Sequence, residues 1–247
     1  MHRRELSTGR VTGLYPILTD AALAPEDVVA GKRFALFASE IPAAAVTLAA
    51  LGVRVLQVRL KESLGDADAL AVHLAVVDAL MAIGWDGCLF VNDRADLAAL
   101  VAARVTAQHG ALAIGVHVGQ TDLPPAEVRA IVGPDAPIGL STHTRAQLAE
   151  ALADDAVDLV GFGPVFGTQS KADPAPTVGL VGLAAACDLA RGAARARPVV
   201  AIGGITHLNV NAVHAAGATA AAVIGDLAGD GLAGLAVRAR RLMEAWA

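Results

Sequence analysis

VRVLQVRL (53–60), ADALAVHLAVVDALMAIG (67–84), CLFV (88–91) and RADLAALVAARV (94–105) follow one another with short gaps. The first and third are short and rich in β-branched residues, as strands are. The second and fourth repeat Leu, Val and Ala at three- and four-residue spacing, as the buried face of a helix does. Strand, helix, strand and helix in that order form a βαβ unit, whose strands lie parallel in one sheet.

The alternation extends in both directions. LYPIL (14–18) precedes it, and IGVHV (114–118), PIGL (137–140), VDLVGF (157–162), PVVAI (198–202) and AAAVI (220–224) follow. Helical patterns such as LPPAEVRAIVG (123–133), TRAQLAEALADD (144–155) and HLNVNAVHAAG (207–217) fall between them. Repeated βα units in 247 residues without a linker predict an α/β fold in one domain, a closed (β/α)8 TIM barrel over residues 13–247. An open doubly wound sheet is disfavoured, because no GxGxxG follows the first strand. Residues 1–12 are expected to be disordered or loosely attached. The region 20–45, interrupted by Pro25, Gly31 and Pro42, is expected to elaborate the first βα connection, with FALFA (34–38) as an extra short strand or helix.

Composition narrows the function. Apolar residues make up 55% and charged residues 17%, which excludes wholesale disorder. Aromatics are 3%, so the core must be built from Ala, Val, Leu and Ile. A net charge of −5 weighs against nucleic acid as a partner. Cys88 and Cys187 form no CxxC or Cys/His cluster and are expected to be small core residues. MHRRELSTGR lacks the apolar run of a signal peptide, and no apolar stretch is long enough to span a membrane. The expectation is a soluble cytoplasmic protein with small-molecule partners. The oligomeric state stays open, a homo-oligomer included.

In such a barrel the chemistry belongs at the carboxyl ends of the strands. The second strand ends QVRLK, and alternation puts Gln57, Arg59 and Lys61 on one face with Val58 and Leu60 on the other. Two cations on an inward face require an anion to meet them. After the third strand come Asn92 and Asp93, the latter readable equally as a helix N-cap or as a ligand. After the fourth, Thr121 or Asp122 can cap a helix whose first turn holds Pro124 and Pro125. Asp93 and Asp122 together would form two hard oxygen ligands for Mg²⁺. His117 reads as a satisfied core histidine and His143 as a loop histidine. Thr144 with Gln147 forms a capping box, which leaves Ser141 upstream of it for a ligand. The sixth strand leads into GFGPVFGTQSKAD (161–173), and glycines recur at Gly179, at Gly203 and Gly204, and at Gly225. Glycines at successive strand ends suit phosphate held on backbone N–H groups. The charge pattern suggests two phosphorylated ligands.

QVRLK, VNDRADLA, GVHVGQTD, GLSTHT, GPVFGTQSKAD, VAIGGI and AAVIGDL, in this order, resemble thiamine phosphate synthase from Leu14 to Leu227. The resemblance implies a TIM barrel that joins a hydroxymethylpyrimidine diphosphate to a thiazole phosphate and releases diphosphate. It implies that Gln57, Arg59, Lys61, Asn92 and Lys171 hold the pyrimidine diphosphate, with Arg59, Lys61 and Lys171 acting in catalysis. Asp93 and Asp122 would bind Mg²⁺, and Ser141 would contact the pyrimidine. Thr168, Gln169 and Ser170, with the backbone near Gly179, Ile224 and Gly225, would form the thiazole phosphate site. Four features depart from the family. Gly225 stands where serine is common, Arg94 where an acid is frequent, Gly167 where proline is common, and 20–45 has no counterpart. A thiazole tautomerase relative, which uses a histidine where this chain has Pro164, is the alternative. An aldolase with Lys171 as Schiff-base nucleophile and a non-catalytic phosphate-binding barrel are further ones.

Overall fold

The computed structural model describes residues 9–19, 30–60, 64–168, 175–228 and 231–246. Of residues 30–39 the backbone alone is described. Eight parallel strands close into a barrel in sequential order. They are β1 (Gly13–Thr19), β2 (Val55–Arg59), β3 (Cys88–Asn92), β4 (Ala113–Val118), β5 (Ile138–Thr142), β6 (Leu159–Phe162), β7 (Val199–Ile202) and β8 (Ala220–Val223). Each is followed by a helix: α1 (Ala30–Ala50), α2 (Asp66–Ala82), α3 (Ala95–Ala107), α4 (Pro125–Val132), α5 (Arg145–Ala153), α6 (Gly179–Arg191), α7 (Val210–Ala215) and α8 (Gly231–Trp246). The expected (β/α)8 TIM barrel is the observed architecture.

Strand alternation divides the core in two. Leu56, Val58, Leu89, Val91, Val116 and Val160 point outward and pack under the helices. Tyr15, Ile17, Val55, Cys88, Phe90, Leu159 and Val200 fill the barrel interior. Tyr15 and Phe90 meet with ring centroids 5.7 Å apart and form the interior's aromatic centre. Both cysteines are buried free thiols. Burial pushes the Cys187 thiol up to about 11 and the Cys88 thiol higher still, so neither is a thiolate at neutral pH.

Residues 30–50 form one continuous helix through Gly31 and Pro42, so FALFA is part of α1. Pro42 lacks an N–H and costs the helix one internal bond. Burial of Ile41, Ala44, Ala45 and Leu48 against the barrel outweighs that loss. Residues 20–29 lie outside the described residues. Of the stretch 1–12, residues 1–8 lie outside the described residues. Val11 is buried in the interior cluster, and the Arg10 guanidinium donates to the carbonyls of Gly87 and Ala111 at 3.2 and 3.4 Å.

The amino-terminal rim carries a charged network. Asp158, buried just before β6, accepts from Arg129 at 2.6 Å, Arg195 at 2.8 Å and the Ile138 N–H at 2.9 Å. Arg197 donates to the carbonyls of Leu152, Asp154 and Val157 close by. Residues at this end of a barrel serve stability rather than chemistry.

Candidate active site

The carboxyl ends of the strands open into a cleft of about 740 Å³. Its wall follows the inward positions of successive strands: Gln57 and Arg59 from β2, Asn92 from β3, His117 from β4, Ser141 from β5 and Ile202 from β7. Thr168, Ile224 and Gly225 line its far side, and Asp93 and Asp122 its rim. Lys61, Gln169, Ser170 and Lys171 lie outside the described residues. Gly179 does not line the cleft. It opens α6, and its N–H donates to the Val165 carbonyl at 3.1 Å, which commits that group to the loop after β6.

Over Gln57, Val58 and Arg59, the part of QVRLK within β2, the alternation read in the sequence is the one observed. Gln57 is buried and donates through Nε2 to the Tyr15 hydroxyl at 3.2 Å, while Val58 packs outward. Burial raises the Tyr15 phenol well above its ordinary value, so it stays neutral. Arg59, last in β2, is placed at the cleft mouth.

Asp93 is not a helix cap. Arg94 holds that position, and Asp93 sits one residue earlier with φ of 62°. A side chain in this left-handed region costs about 1 kcal/mol or more. The turn is held by its N–H donating to the His117 carbonyl at 2.8 Å and by Asn92 Nδ2 donating to Asp93 Oδ2 at 2.6 Å. Asp122 caps nothing either, because Pro124 is the N-cap of α4. Its Oδ2 accepts from the Gly119 N–H at 2.7 Å and braces the loop after β4. Neither carboxylate is used for helix capping, the role that competed with the ligand reading. Arg94, which stands where the family frequently has an acid, turns to the outer layer. It grips Asp96 through two bonds of 2.6 and 2.8 Å and Asp66 through one of 2.8 Å.

His117 does not sit satisfied in the core. Its ring lines the cleft, Nε2 lies 2.9 Å from Ser141 Oγ, and Nδ1 is buried without a partner among the described residues. Ser141 is therefore engaged rather than unattached. The signal was present in IGVHV: Ile114, Val116 and Val118 take the outer face, which leaves Gly115 and His117 inward. Glycines on the next two strands make the space, since a Cβ on Gly139 would collide with the ring and one on Gly161 would come within 3.2 Å. His143 is a loop residue as expected, but it also lines the cleft, with Nδ1 2.7 Å from the Gly163 carbonyl. The capping box is half formed. The Gln147 N–H donates to Thr144 Oγ1 at 3.2 Å, while Gln147 Oε1 accepts from the His143 N–H at 2.8 Å instead of from Thr144.

The glycine pair after β7 has a steric role. At Gly203 and Gly204, with φ of 99° and 62°, a Cβ would strike Pro164 and Phe166 respectively. The loop after β6 passes directly over them, and the N–H groups of Val165 and Phe166 donate to Ile202 and Gly203 carbonyls at 2.8 and 3.0 Å. This pins the first half of the loop, although Gly167 stands where the family commonly has proline.

Residues 28–227 match the family model described as thiamine monophosphate synthase. The chain belongs to that family. A thiamine-phosphate synthase of Koribacter versatilis is 40% identical over 218 residues, 88% of this chain and 89% of the relative. One from Anaeromyxobacter dehalogenans is 45% identical over 173 residues, 70% and 69% of the two chains. A solved structure of a thiamine phosphate pyrophosphorylase from Pyrococcus furiosus superposes with a TM-score of 0.71 at 24% identity, covering 99% of this chain and 96% of that one, and supports the fold. The family places the chain among transferases. No helix among the described residues is long and apolar enough to cross a membrane.

Two results are expected at the His117 wall. Gly139→Ala should push the imidazole off Ser141, lower the melting temperature by a few degrees and weaken substrate binding, read by thermal denaturation and calorimetry. The second concerns pH. Burial is the main cause that lowers the His117 pKa to about 4, with Asp122 opposing it weakly. Between pH 4 and the unfolded value of about 6.5 the unfolded chain binds a proton that the native state refuses, so stability falls as pH falls. From pH 7 to pH 5 the loss attributable to this residue should be about 2 kcal/mol. Urea titrations of wild type and His117→Gln at both values check it, and the variant should lose less.

Proposed function

We propose that this chain is a thiamine-phosphate synthase. It would condense 4-amino-5-hydroxymethyl-2-methylpyrimidine diphosphate with thiazole phosphate, giving thiamine phosphate and diphosphate. The observation that carries the reading is one of placement. Gln57, Arg59, Asn92, Asp93, Asp122, Ser141, Thr168, Ile224 and Gly225, named from the resemblance, all line a single cleft. The family match and the relatives at 40–45% identity support the same reading.

The reaction is a substitution at the pyrimidine methylene. The C–O bond to diphosphate breaks, and the electron pair leaves on oxygen. The thiazole nitrogen then donates its lone pair to the methylene carbon. Such a step needs charge neutralisation and alignment more than acid–base groups. Arg59, with Lys61 and Lys171, would take the negative charge growing on the diphosphate. Asn92 and Gln57 would orient it. Thr168 and the backbone at Ile224 and Gly225 would anchor the thiazole phosphate on the opposite side. With glycine at 225 that anchor relies on the backbone, because the serine hydroxyl common in the family is lacking.

The donor set at the rim fits magnesium. Asp93 and Asp122 follow the neighbouring strands β3 and β4, and Mg²⁺ commonly takes one or two carboxylates with substrate phosphates and water. When bound, magnesium would neutralise diphosphate oxygens. The substrates are charged metabolites, and the proposed location is the cytoplasm.

The test is direct. Pure protein with both substrates and Mg²⁺ should release diphosphate and thiamine phosphate in equal amounts. Absence of thiamine phosphate would overturn the assignment.

A further inference from the structure

The wall between β4 and β5 carries more information than a contact list. His117 Nε2 lies 2.9 Å from Ser141 Oγ, and either atom can supply the hydrogen of that bond. The other ring nitrogen decides which does. Nδ1 faces Gly139 so closely that a Cβ there would collide with it. One Cα hydrogen of Gly139 lies along that same direction. A hydrogen on Nδ1 would meet it head-on, whereas a bare lone pair accepts a C–H contact readily. Nδ1 also has no acceptor among the described residues to receive a proton. An unsatisfied buried donor is the costlier choice.

We infer that His117 is a neutral Nε2–H donor to Ser141 Oγ, and that this directs the Ser141 hydroxyl hydrogen into the cleft to read a lone pair on the ring of a heteroaromatic substrate. The bond from His117 occupies an oxygen lone pair of Ser141. The hydroxyl hydrogen makes no other hydrogen bond among the described residues and has the cleft before it. His117 is thus a positioning residue that sets the polarity of Ser141. It makes this part of the wall selective for an acceptor, such as a ring nitrogen, over a C–H of the same shape. Thr142, between Ser141 and His143, turns its hydroxyl to the Gly161 carbonyl at 2.9 Å and so leaves the task to Ser141. The inference rests on the reading of the cleft as a pyrimidine site.

The experiment uses calorimetric binding of the pyrimidine diphosphate and of two analogues, each with one ring nitrogen replaced by C–H. Wild type should bind one analogue about tenfold or more weakly than the parent, the loss of one hydrogen bond in a buried site. Ser141→Ala and His117→Leu should shrink that gap to about threefold or less. His117→Gln, which keeps an N–H near the Nε2 position, should restore it. A gap that persists in folded His117→Leu overturns the inference, as does a wild type that binds both analogues like the parent. A second measurement needs no variant. The ¹⁵N spectrum of wild type should show Nδ1 of His117 unprotonated and Nε2 protonated, and the reverse pattern overturns the inference. Failure of the parent to bind wild type would instead overturn the pyrimidine reading of the cleft, and the substrate inference with it. The tautomer would still be decided by the spectrum.

Discussion

Replacing Asp93 with glycine or alanine is expected to cut turnover by at least about a hundredfold, as removal of a group that stabilises developing charge does. The two variants should differ in stability. Asp93 holds φ of 62°, where glycine is at ease and alanine is not. Both replacements lose the bond from Asn92 Nδ2. The glycine variant should therefore be more stable than the alanine variant by about 1 kcal/mol. Denaturant titration reads that difference, and a diphosphate-release assay reads the loss of activity. A left-handed carboxylate next to a cleft is the pattern of strain kept for function. Near-normal turnover in the glycine variant would remove Asp93 from the metal role.

Asp158→Ala is expected to cost about 3–5 kcal/mol, the range for removing one partner of a buried ion pair. Arg129 and Arg195 would lose their shared carboxylate, and the Ile138 N–H would lose its acceptor. The network lies before β5 and β6, at the end of the barrel opposite the cleft. Protein that still folds should keep its turnover per molecule. Thermal denaturation and active-site-normalised kinetics separate the two effects. A fall in kcat without a fall in stability would contradict a purely structural role for this rim.

Much of the barrel was legible in the chain. Period-two alternation in QVRLK and CLFVN assigns each residue to the interior or to the helix layer, because neighbouring side chains on a strand point to opposite faces. Roughly alternating strands and helices leave a closed parallel sheet as the economical way to bury both. Pro42 was misleading. Proline reads as a breaker locally, yet α1 passes through it because its buried face is held by the barrel. Capping was misleading as well. Asp93 and Asp122 have the composition of N-caps, and neither caps, since the backbone at each takes a different turn.

By itself the sequence determined the barrel, the inward face of β2 and the family, because each depends on residue type and order along the chain. Tertiary structure alone decided the roles of His117, Arg94 and the Gly203–Gly204 pair. His117 became part of the cleft because Gly139 and Gly161, on two other strands, leave room for its ring. Arg94 was drawn away from the rim by Asp96, two residues on, together with Asp66, 28 positions earlier on a different helix. The glycine pair serves the passage of the loop after β6, which a reading of β7 alone does not contain. For His117 and the glycine pair the deciding partner is remote in sequence, and only closure of the barrel brings it within contact distance.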